Sequence, residues 1–291
     1  IGDGITVDSS NNIYVTGWTS GGLDGNTNSG SNDIFLGKYN SSGTKQWTQL
    51  FGTSSEDIGD SITVDSSDNI YVTGYTTGGL DNNTNSGNND IILVKYNSSG
   101  VKQWTQQLGT SSSEDGRGVT VDSSNNIYVT GYTNGGLDNN TNSGSTDMFL
   151  VKYNSSGVKQ WTQQLGTSGD DRGLGVTVDS SNNIYVTGYT SGGLDNNTFS
   201  GSLDMFLVKY NSSGVKQWTQ QLGTSNSEVG LGITKDSSNN IYVTGYTNGG
   251  LDNNTNSGNT DMFLVKYNSS GVKQWTQQLG TSGDDEGRGV T

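Results

Sequence analysis

Residues 126–133 read NIYVTGYT, a run of β-branched and aromatic residues with a glycine near its end. The phrase NIYVTG starts at five positions separated by a constant step of 57 residues: Asn12, Asn69, Asn126, Asn183 and Asn240. The tryptophan of the phrase KQWT follows the same step, at Trp47, Trp104, Trp161, Trp218 and Trp275. A fixed period of this length indicates a repeat protein in which each repeat is one structural unit.

Each repeat contains four segments typical of β-strands. In the third repeat they are Gly118–Asp122, Asn126–Thr133, Asp147–Asn154 and Val158–Gly166. Turn-forming stretches such as DSSN and NSSG separate them, and the polar last segment suits the edge of a sheet. The pattern predicts an all-β fold, a β-propeller of four-stranded antiparallel blades in five repeats. A stacked β-solenoid is the alternative, although solenoid coils are usually shorter than this repeat.

The period also predicts the domain organisation. We expect residues 1–291 to form a single β-propeller domain, with blades at about 1–57, 58–114, 115–171, 172–228 and 229–285. Residues 286–291 restart the first strand of a further repeat, because Val290-Thr291 match Ile5-Thr6. The chain is therefore either a five-bladed ring or an excerpt of a larger propeller or repeat array. The surplus terminal strand offers a route to self-association.

Composition excludes several classes of function. The chain has 14 Lys and Arg against 28 Asp and Glu, a formal net charge of −14, so nucleic acid is a poor partner. It has no Cys and no His, which removes thiol chemistry, the commonest general base and the usual zinc ligand. No apolar stretch approaches the ~20 residues of a membrane-spanning helix, so we expect no membrane insertion.

Three phrases of the repeat resemble, in combination, the bacterial SBBP-type β-propeller repeat: DSSNNIYVTGYT, DMFLVKYNSSG and WTQQLGTS. The resemblance covers all five repeats. It implies a four-stranded blade and a secreted or cell-surface bacterial protein, whereas the family carries no single activity. The chain departs from the family pattern at Asn125, where the family favours Gly. Asn also tolerates the left-handed turn conformation, so we expect the hairpin to persist.

The long loop between the second and third strands is a candidate calcium site. Its pattern D-x-N-x-N-x-G-x-x-D places carboxylate and amide oxygens at alternating positions, and Ca²⁺ prefers such oxygen ligands. The candidate ligands are Asp24, Asn26, Asn28 and Asp33; Asp81, Asn83, Asn85 and Asp90; Asp138, Asn140, Asn142 and Asp147; Asp195, Asn197 and Asp204; and Asp252, Asn254, Asn256 and Asp261. The fourth set is interrupted by Phe199. The alternative is a polar connector, since the same residues are ordinary in long turns.

Two further features carry candidate chemistry. The crossing from one repeat to the next is acidic, as at Glu56-Asp57 and Asp170-Asp171, and it is expected at the same end of the blade as the long loop. These carboxylates either form a solvated surface or complete a cation site with that loop. The tryptophans of the outer strand either pack between blades or offer platforms for sugar rings.

The repetition decides between classes of function. An active site is one asymmetric constellation, and near-identical repeats offer none, so we predict no catalytic residues and no cofactor other than Ca²⁺. We expect a non-enzymatic extracellular module with a structural, adhesive or interaction role, binding other proteins through its acidic loop face. A multivalent lectin that binds surface glycans at one site per blade is the alternative. A glycoside-active enzyme is the third class.

Overall fold

The computed structural model describes residues 1–291, which fold into β-strands and short 3₁₀ turns. The strands form five four-stranded antiparallel sheets, and in each sheet the strands pair in chain order. The chain forms two compact units, one of Ile1–Asn140 with Leu150–Thr162 and one of Thr141–Phe149 with Gln163–Thr291. No helix is long and apolar enough to cross a membrane. The predicted all-β fold of five repeated sheets is confirmed.

The strand bounds follow the 57-residue period. Sheet 1 contains β1 (Gly2–Val7), β2 (Ile13–Thr19), β3 (Asp33–Tyr39) and β4 (Lys45–Phe51). Sheet 2 contains β5 (Asp57–Val64), β6 (Ile70–Thr76), β7 (Asp90–Tyr96) and β8 (Lys102–Leu108). Sheet 3 contains β9 (Glu114–Val121), β10 (Ile127–Thr133), β11 (Asp147–Tyr153) and β12 (Lys159–Leu165). Sheet 4 contains β13 (Asp171–Val178), β14 (Ile184–Thr190), β15 (Asp204–Tyr210) and β16 (Lys216–Leu222). Sheet 5 contains β17 (Glu228–Lys235), β18 (Ile241–Thr247), β19 (Asp261–Tyr267) and β20 (Lys273–Leu279). Short 3₁₀ turns lie in four of the long loops, at Leu80–Asn82, Leu137–Asn139, Leu194–Asn196 and Leu251–Asn253.

The first strand of each sheet is longer than its sequence pattern indicates. β9 begins at Glu114 instead of Gly118, because Glu114 already pairs with Thr133 of β10. A register shift interrupts this pairing, as a β-bulge does. The equivalent shift in sheet 2 brings the carbonyl oxygen of Ile58 within 1.9 Å of the position that a Cβ would take on Gly74. Only glycine fits there, which explains the glycine within the phrase NIYVTG.

A buried aspartate organises the turn between the first two strands. Asp8 accepts hydrogen bonds from the backbone amides of Ser10 and Asn12, and from the Tyr14 hydroxyl at 2.9 Å. The Asn12 side chain also donates to it. The residue before each NIYVTG phrase has a positive φ, 59° at Asn125, as expected from asparagine's tolerance of this conformation. The turn therefore persists without the glycine that the SBBP pattern favours.

Aliphatic and aromatic side chains of the middle strands form the core. In the first unit the core includes Tyr14, Leu36, Val72 and Ile92, all fully buried. Trp47 of the outer strand contacts the Tyr14 ring, with centroids 6.1 Å apart. Its indole also lies against Gly100, where an added Cβ would be 3.0 Å from the ring. Trp47 therefore packs beneath the NSSG turn of the following repeat. Of the two roles predicted for the tryptophans, packing between blades and stacking against sugars, Trp47 has the packing role.

The last six residues lie beside the first two strands of sheet 5. Residues 286–291 have no regular structure. Gly287 donates its amide to the carbonyl oxygen of Gly245 at 3.2 Å, and Gly289 and Val290 lie against Gly232 of β17. The restart of a further repeat in this segment stays a prediction.

Candidate functional site

The long loop and the acidic crossing meet at the same end of each sheet. Asn32 precedes β3 and forms a parallel bridge with Glu56, which precedes β5. The amide of Asp57 donates to the carbonyl oxygen of Asn32 at 2.9 Å. Equivalent bridges join Thr146 to Asp170, Leu203 to Ser227 and Thr260 to Asp284. The predicted neighbourhood of loop and crossing is therefore present wherever such a bridge forms.

The first aspartate of each loop lies at the surface and pairs with a lysine. Asp138 has a φ of 50° and accepts hydrogen bonds from the Lys159 ammonium and the Thr162 hydroxyl. The same arrangement holds Asp24, Asp81, Asp195 and Asp252. At Asp24 the lysine, with help from the threonine, lowers the pKa of the carboxyl below its usual value. Protein donors already satisfy this group of carboxylates.

The loop asparagines mainly hold the loop backbone in place. The side-chain amide of Asn83 donates to the carbonyl oxygen of Leu80 at 2.8 Å, and Asn26, Asn140, Asn197 and Asn254 make the same contact in their repeats. Asn28 donates to Thr19 and accepts from the amide of Gly30. Asn85 and Asn256 likewise donate to backbone carbonyls, as does Asn142. Phe199 takes the place of this last asparagine in the fourth repeat.

The last aspartate of each loop is buried at the start of the third strand. Asp90 accepts hydrogen bonds through Oδ2 from the backbone amide of Ser86 and the side-chain amide of Gln107, both at 3.0 Å. Its Oδ1 is buried without a hydrogen-bond partner. The same holds for Oδ1 of Asp33, Asp147, Asp204 and Asp261. The structure therefore separates the first and last predicted ligands of each loop into different environments.

A second buried carboxylate faces four of these five aspartates from the next sheet. Asp57 and Glu114 open the first strands of sheets 2 and 3, and neither side chain is exposed to solvent. Asp57 accepts hydrogen bonds from the amide and hydroxyl of Thr53, while its Oδ1 is buried without a partner. Glu114 accepts from the amide and hydroxyl of Thr110. Asp171 and Glu228 hold the same positions in sheets 4 and 5.

The parallel bridge places the two carboxylates side by side. Asp33 and Asp57 directly follow the bridged residues, so their backbones lie about one strand spacing apart, roughly 4.8 Å. The position of a Cβ on Gly52 would be 2.6 Å from Oδ1 of Asp33 and 2.9 Å from Oδ2 of Asp57. Burial raises the pKa of Asp57, and the negative charge of Asp33 adds to the rise. Asp171 shows the same increase beside Asp147.

The inner strands carry a charge cluster that the sequence pattern did not indicate. Arg117 of β9 donates to Asp60 of β5 at 3.0 Å and to Asp115 at 2.6 Å. Burial, with the negative charge of Asp115, raises the pKa of Asp60 to about 7. Residue 60 of the second repeat corresponds to Leu174 and Leu231 in later repeats, so the cluster is not repeated along the chain. Arg117, one of three arginines in the chain, is the sequence signal for it.

Comparison with known proteins identifies the family. The sequence model described as the SBBP β-propeller repeat matches residues 1–24, 46–81, 103–138, 160–195 and 217–252, together more than half of the chain. The chain belongs to this β-propeller repeat family. The resemblance in the NIYVTG and KQWT phrases is thereby confirmed, and the five sheets are five propeller blades.

Relatives of this SBBP chain include much longer proteins. An uncharacterised WD repeat-containing protein of Acanthamoeba polyphaga mimivirus is 28% identical over 231 residues, covering 62% of the chain and 17% of the relative. Regulatory protein FlaEY of Caulobacter vibrioides is 26% identical over 157 residues, covering 49% of the chain and 16% of the relative. The chain thus spans about a sixth of the length of the curated relatives it matches.

Solved structures with this fold have very different sequences. The Pan2 WD40 domain of Neurospora crassa aligns with a TM-score of 0.57 at 10% identity, covering 97% of this chain and 66% of that one. A protein proposed to be a 6-phosphogluconolactonase from Bacteroides fragilis aligns with a TM-score of 0.56 at 9% identity, covering 96% and 71%. At these identities the likeness shows the fold alone.

Proposed function

We propose that this SBBP chain is a non-enzymatic interaction module that binds partners through the loop end of its blades. The observation that carries the proposal is the repetition of one exposed loop in every blade. Each loop presents the same exposed threonine, at Thr27, Thr84, Thr141, Thr198 and Thr255. Five near-identical surfaces suit multivalent binding, in which modest contacts add through avidity.

The chemistry of the loop end favours protein partners with basic or polar surfaces. The chain carries a net charge of −14, and the crossings that border the loops are acidic. Charge complementarity of this kind speeds encounter and selects partners. We assign Ca²⁺ a stabilising role at this end of the blades, and a secreted or cell-surface bacterial location to the protein. Contact through residues 286–291 is the candidate route of self-association.

Surface glycans are the second candidate ligand. Repetition supports them as well, because lectins gain avidity from one modest site per blade. The tryptophans are weak candidates for a sugar platform in every blade, since Trp47, Trp104 and Trp218 pack under the next turn and only Trp275 is exposed, at 38%. A glycan site would therefore have to use the loop threonines and asparagines.

Catalysis finds less support than binding. The chain lacks His and Cys, and most polar groups of each blade recur in the others, apart from the cluster around Arg117. The FlaEY and WD repeat-containing relatives carry the names of regulatory and repeat proteins, not of enzymes. The solved structure proposed to be a lactonase shares the fold at 9% identity, which transfers no activity to this chain.

The test compares two surfaces of the same protein. In one variant, lysine replaces the five loop threonines, which adds a positive charge to each loop without touching a buried group. The matched control places five lysines at the other end of the blades, as Thr44→Lys, Val101→Lys, Val158→Lys, Val215→Lys and Val272→Lys. Binding is measured on arrays of proteins and of glycans.

We expect ligands of the wild-type chain to be lost by the loop variant and kept by the control. Loss in the control alone would overturn the assignment of the binding face. Turnover of a lactone or polysaccharide by the wild-type chain would overturn the non-enzymatic proposal.

A further inference from the structure

We propose that each of four buried carboxylate pairs between neighbouring blades binds one hard divalent cation such as Ca²⁺. The pairs are Asp33 with Asp57, Asp90 with Glu114, Asp147 with Asp171, and Asp204 with Glu228. The inference rests on the cation part of the proposed function and moves the site from the exposed loop to the contact between blades. No group of three or more His, Cys, Asp or Glu side chains in the chain is arranged to hold a metal ion, so each proposed site uses two carboxylates.

Charge is the first argument. All eight side chains are between 0% and 1% exposed, and none of them lies within ion-pair distance of a lysine or arginine. The lysines of the loop end are used by the surface aspartates such as Asp138. Two buried carboxylates without a counter-ion are strongly unfavourable, and a bound cation of charge +2 removes that cost.

The unpartnered oxygen atoms are the second argument. In every pair the aspartate that opens the third strand leaves Oδ1 buried without a hydrogen-bond donor. Asp57 leaves a second such oxygen in the first pair. Buried polar atoms in native proteins almost always have a partner, so these oxygens require one that the protein itself does not supply.

The hydrogen bonds to the other oxygens act in favour of the anionic carboxylate, which is the form that binds a cation. Asp147 receives the Ser143 amide and the Gln164 side-chain amide at Oδ2, and Asp171 receives the Thr167 amide at 2.6 Å. Donors of this kind stabilise a carboxylate as the anion. Two anions side by side, with oxygen as the only ligand atom, match Ca²⁺ or Mg²⁺ and not a thiolate- or imidazole-seeking metal.

A glycine that recurs at the same repeat position leaves room for each carboxylate pair. Gly52, Gly109, Gly166 and Gly223 lie directly beneath the pairs, one in each repeat. A Cβ on Gly109 would be 2.0 Å from Oδ1 of Asp90, and one on Gly166 would be 2.1 Å from Oδ1 of Asp147. Any larger residue would push this carboxylate away from its neighbour.

The fifth pair, Asp261 with Asp285, differs from the other four in its exposure to solvent. Asp261 is buried with an unpartnered Oδ1, but Asp285 is partly exposed to solvent. Water can therefore hydrate this carboxylate, and the reason for a bound ion is weaker. We expect four ions per chain at moderate Ca²⁺ concentration.

Isothermal titration of chelator-treated protein with Ca²⁺ and with Mg²⁺ measures the number of sites. The expected result is four sites in the wild type and three in Asp147→Asn, which keeps the shape of the side chain. The control Asp138→Asn removes a surface carboxylate of the same loop and should keep four sites. Circular dichroism of each variant establishes that it is folded, and Glu228→Gln provides a second single-site variant for another blade.

Each other outcome contradicts the inference in a distinct way. A site lost in Asp138→Asn and kept in Asp147→Asn would return the ion to the exposed loop and leave the cation part of the proposed function intact. No binding of either metal by the folded wild-type chain would overturn the inference. Partner binding by the loop threonine variant is measured separately, so failure of the interaction proposal remains distinguishable.

Discussion

Two aspartates of the same loop meet opposite environments in this protein. Asp138 lies at the surface, where Lys159 and Thr162 donate to both of its oxygens. Asp147 closes the loop, is fully buried, and receives only neutral amide donors. Water already solvates the surface carboxylate, so its lysine partner adds little stability. The buried carboxylate is shielded from water and has no positive partner to compensate for the lost solvation. The difference shows that residue type alone does not identify a ligand.

The largest effect on stability should come from removing the buried carboxylate of Asp147. Asp147→Ala leaves the Ser143 amide and the Gln164 side chain without an acceptor, so we expect a loss of about 2–4 kcal/mol in the free energy of unfolding. Urea denaturation measures it, and Asp138→Ala is the matched control. A gain in stability on removal of Asp147 would mean that repulsion from Asp171 outweighs these hydrogen bonds.

Substitution of Gly166, which lies beneath the pair of Asp147 and Asp171, should reduce stability almost as much. Gly166→Ala places a methyl group 2.1 Å from Oδ1 of Asp147, and we expect a cost of about 1–3 kcal/mol from the forced shift. Gly21→Ala is the control, because no atom lies within 4 Å of its added Cβ. Equal effects of the two substitutions on thermal unfolding would show that the carboxylate is not packed as described.

The pH dependence should divide the acids of one sheet into two groups. Burial and the charge of Asp147 raise the pKa of Asp171, so in chelator stability should increase as the pH falls toward about 4, the ordinary aspartate pKa. Burial acts the same way on Asp179, but hydrogen bonds from Asn183 and Tyr185 outweigh it and lower its pKa. The stability that Asp179 contributes is therefore present above pH 4 and lost below it.

Two substitutions test which aspartate causes each part of the dependence of stability on pH. Melting temperatures are recorded from pH 3 to pH 8 for Asp171→Asn and Asp179→Asn. The first should flatten the change above pH 4, and the second should flatten the change below it. Identical profiles for both variants would contradict the assignment.

The smallest effect should come from the surface ion pair. Lys159→Ala removes the partner of a half-exposed Asp138, and such pairs contribute about 0–1 kcal/mol. We expect a change of this size that shrinks further in 1 M salt, measured by urea denaturation. A larger loss of stability that does not change with salt would show that the conformation of the loop depends on Lys159.

The repeat allowed most of the fold to be predicted from sequence. The 57-residue step of NIYVTG and the four strand signals indicated the blades, because period and alternation follow directly from strand packing. The start of β9 was missed, since Glu114 and Asp115 read as a solvated turn and pair only through a bulge. Local pattern does not reveal such a tertiary adjustment.

The candidate site could be predicted only in part. The spacing predicts Asp147 as a ligand, and it leaves open whether the acidic crossing with Asp171 is a solvated surface or completes a cation site with the loop. Their meeting depends on the parallel bridge between Thr146 and Asp170, a contact between sheets that sequence spacing does not show. Lys159 likewise reaches Asp138 across the loop. The calcium loop itself stays a prediction.

The melting temperature of the wild-type chain in Ca²⁺ and in chelator at neutral pH tests the central claim most directly. If the buried pairs bind the ion, each filled site should add about 2.7 kcal/mol at a hundredfold excess over its dissociation constant. The account predicts a large rise in melting temperature that Asp138→Asn preserves and Asp147→Asn reduces. An unchanged melting temperature at millimolar Ca²⁺ would contradict it.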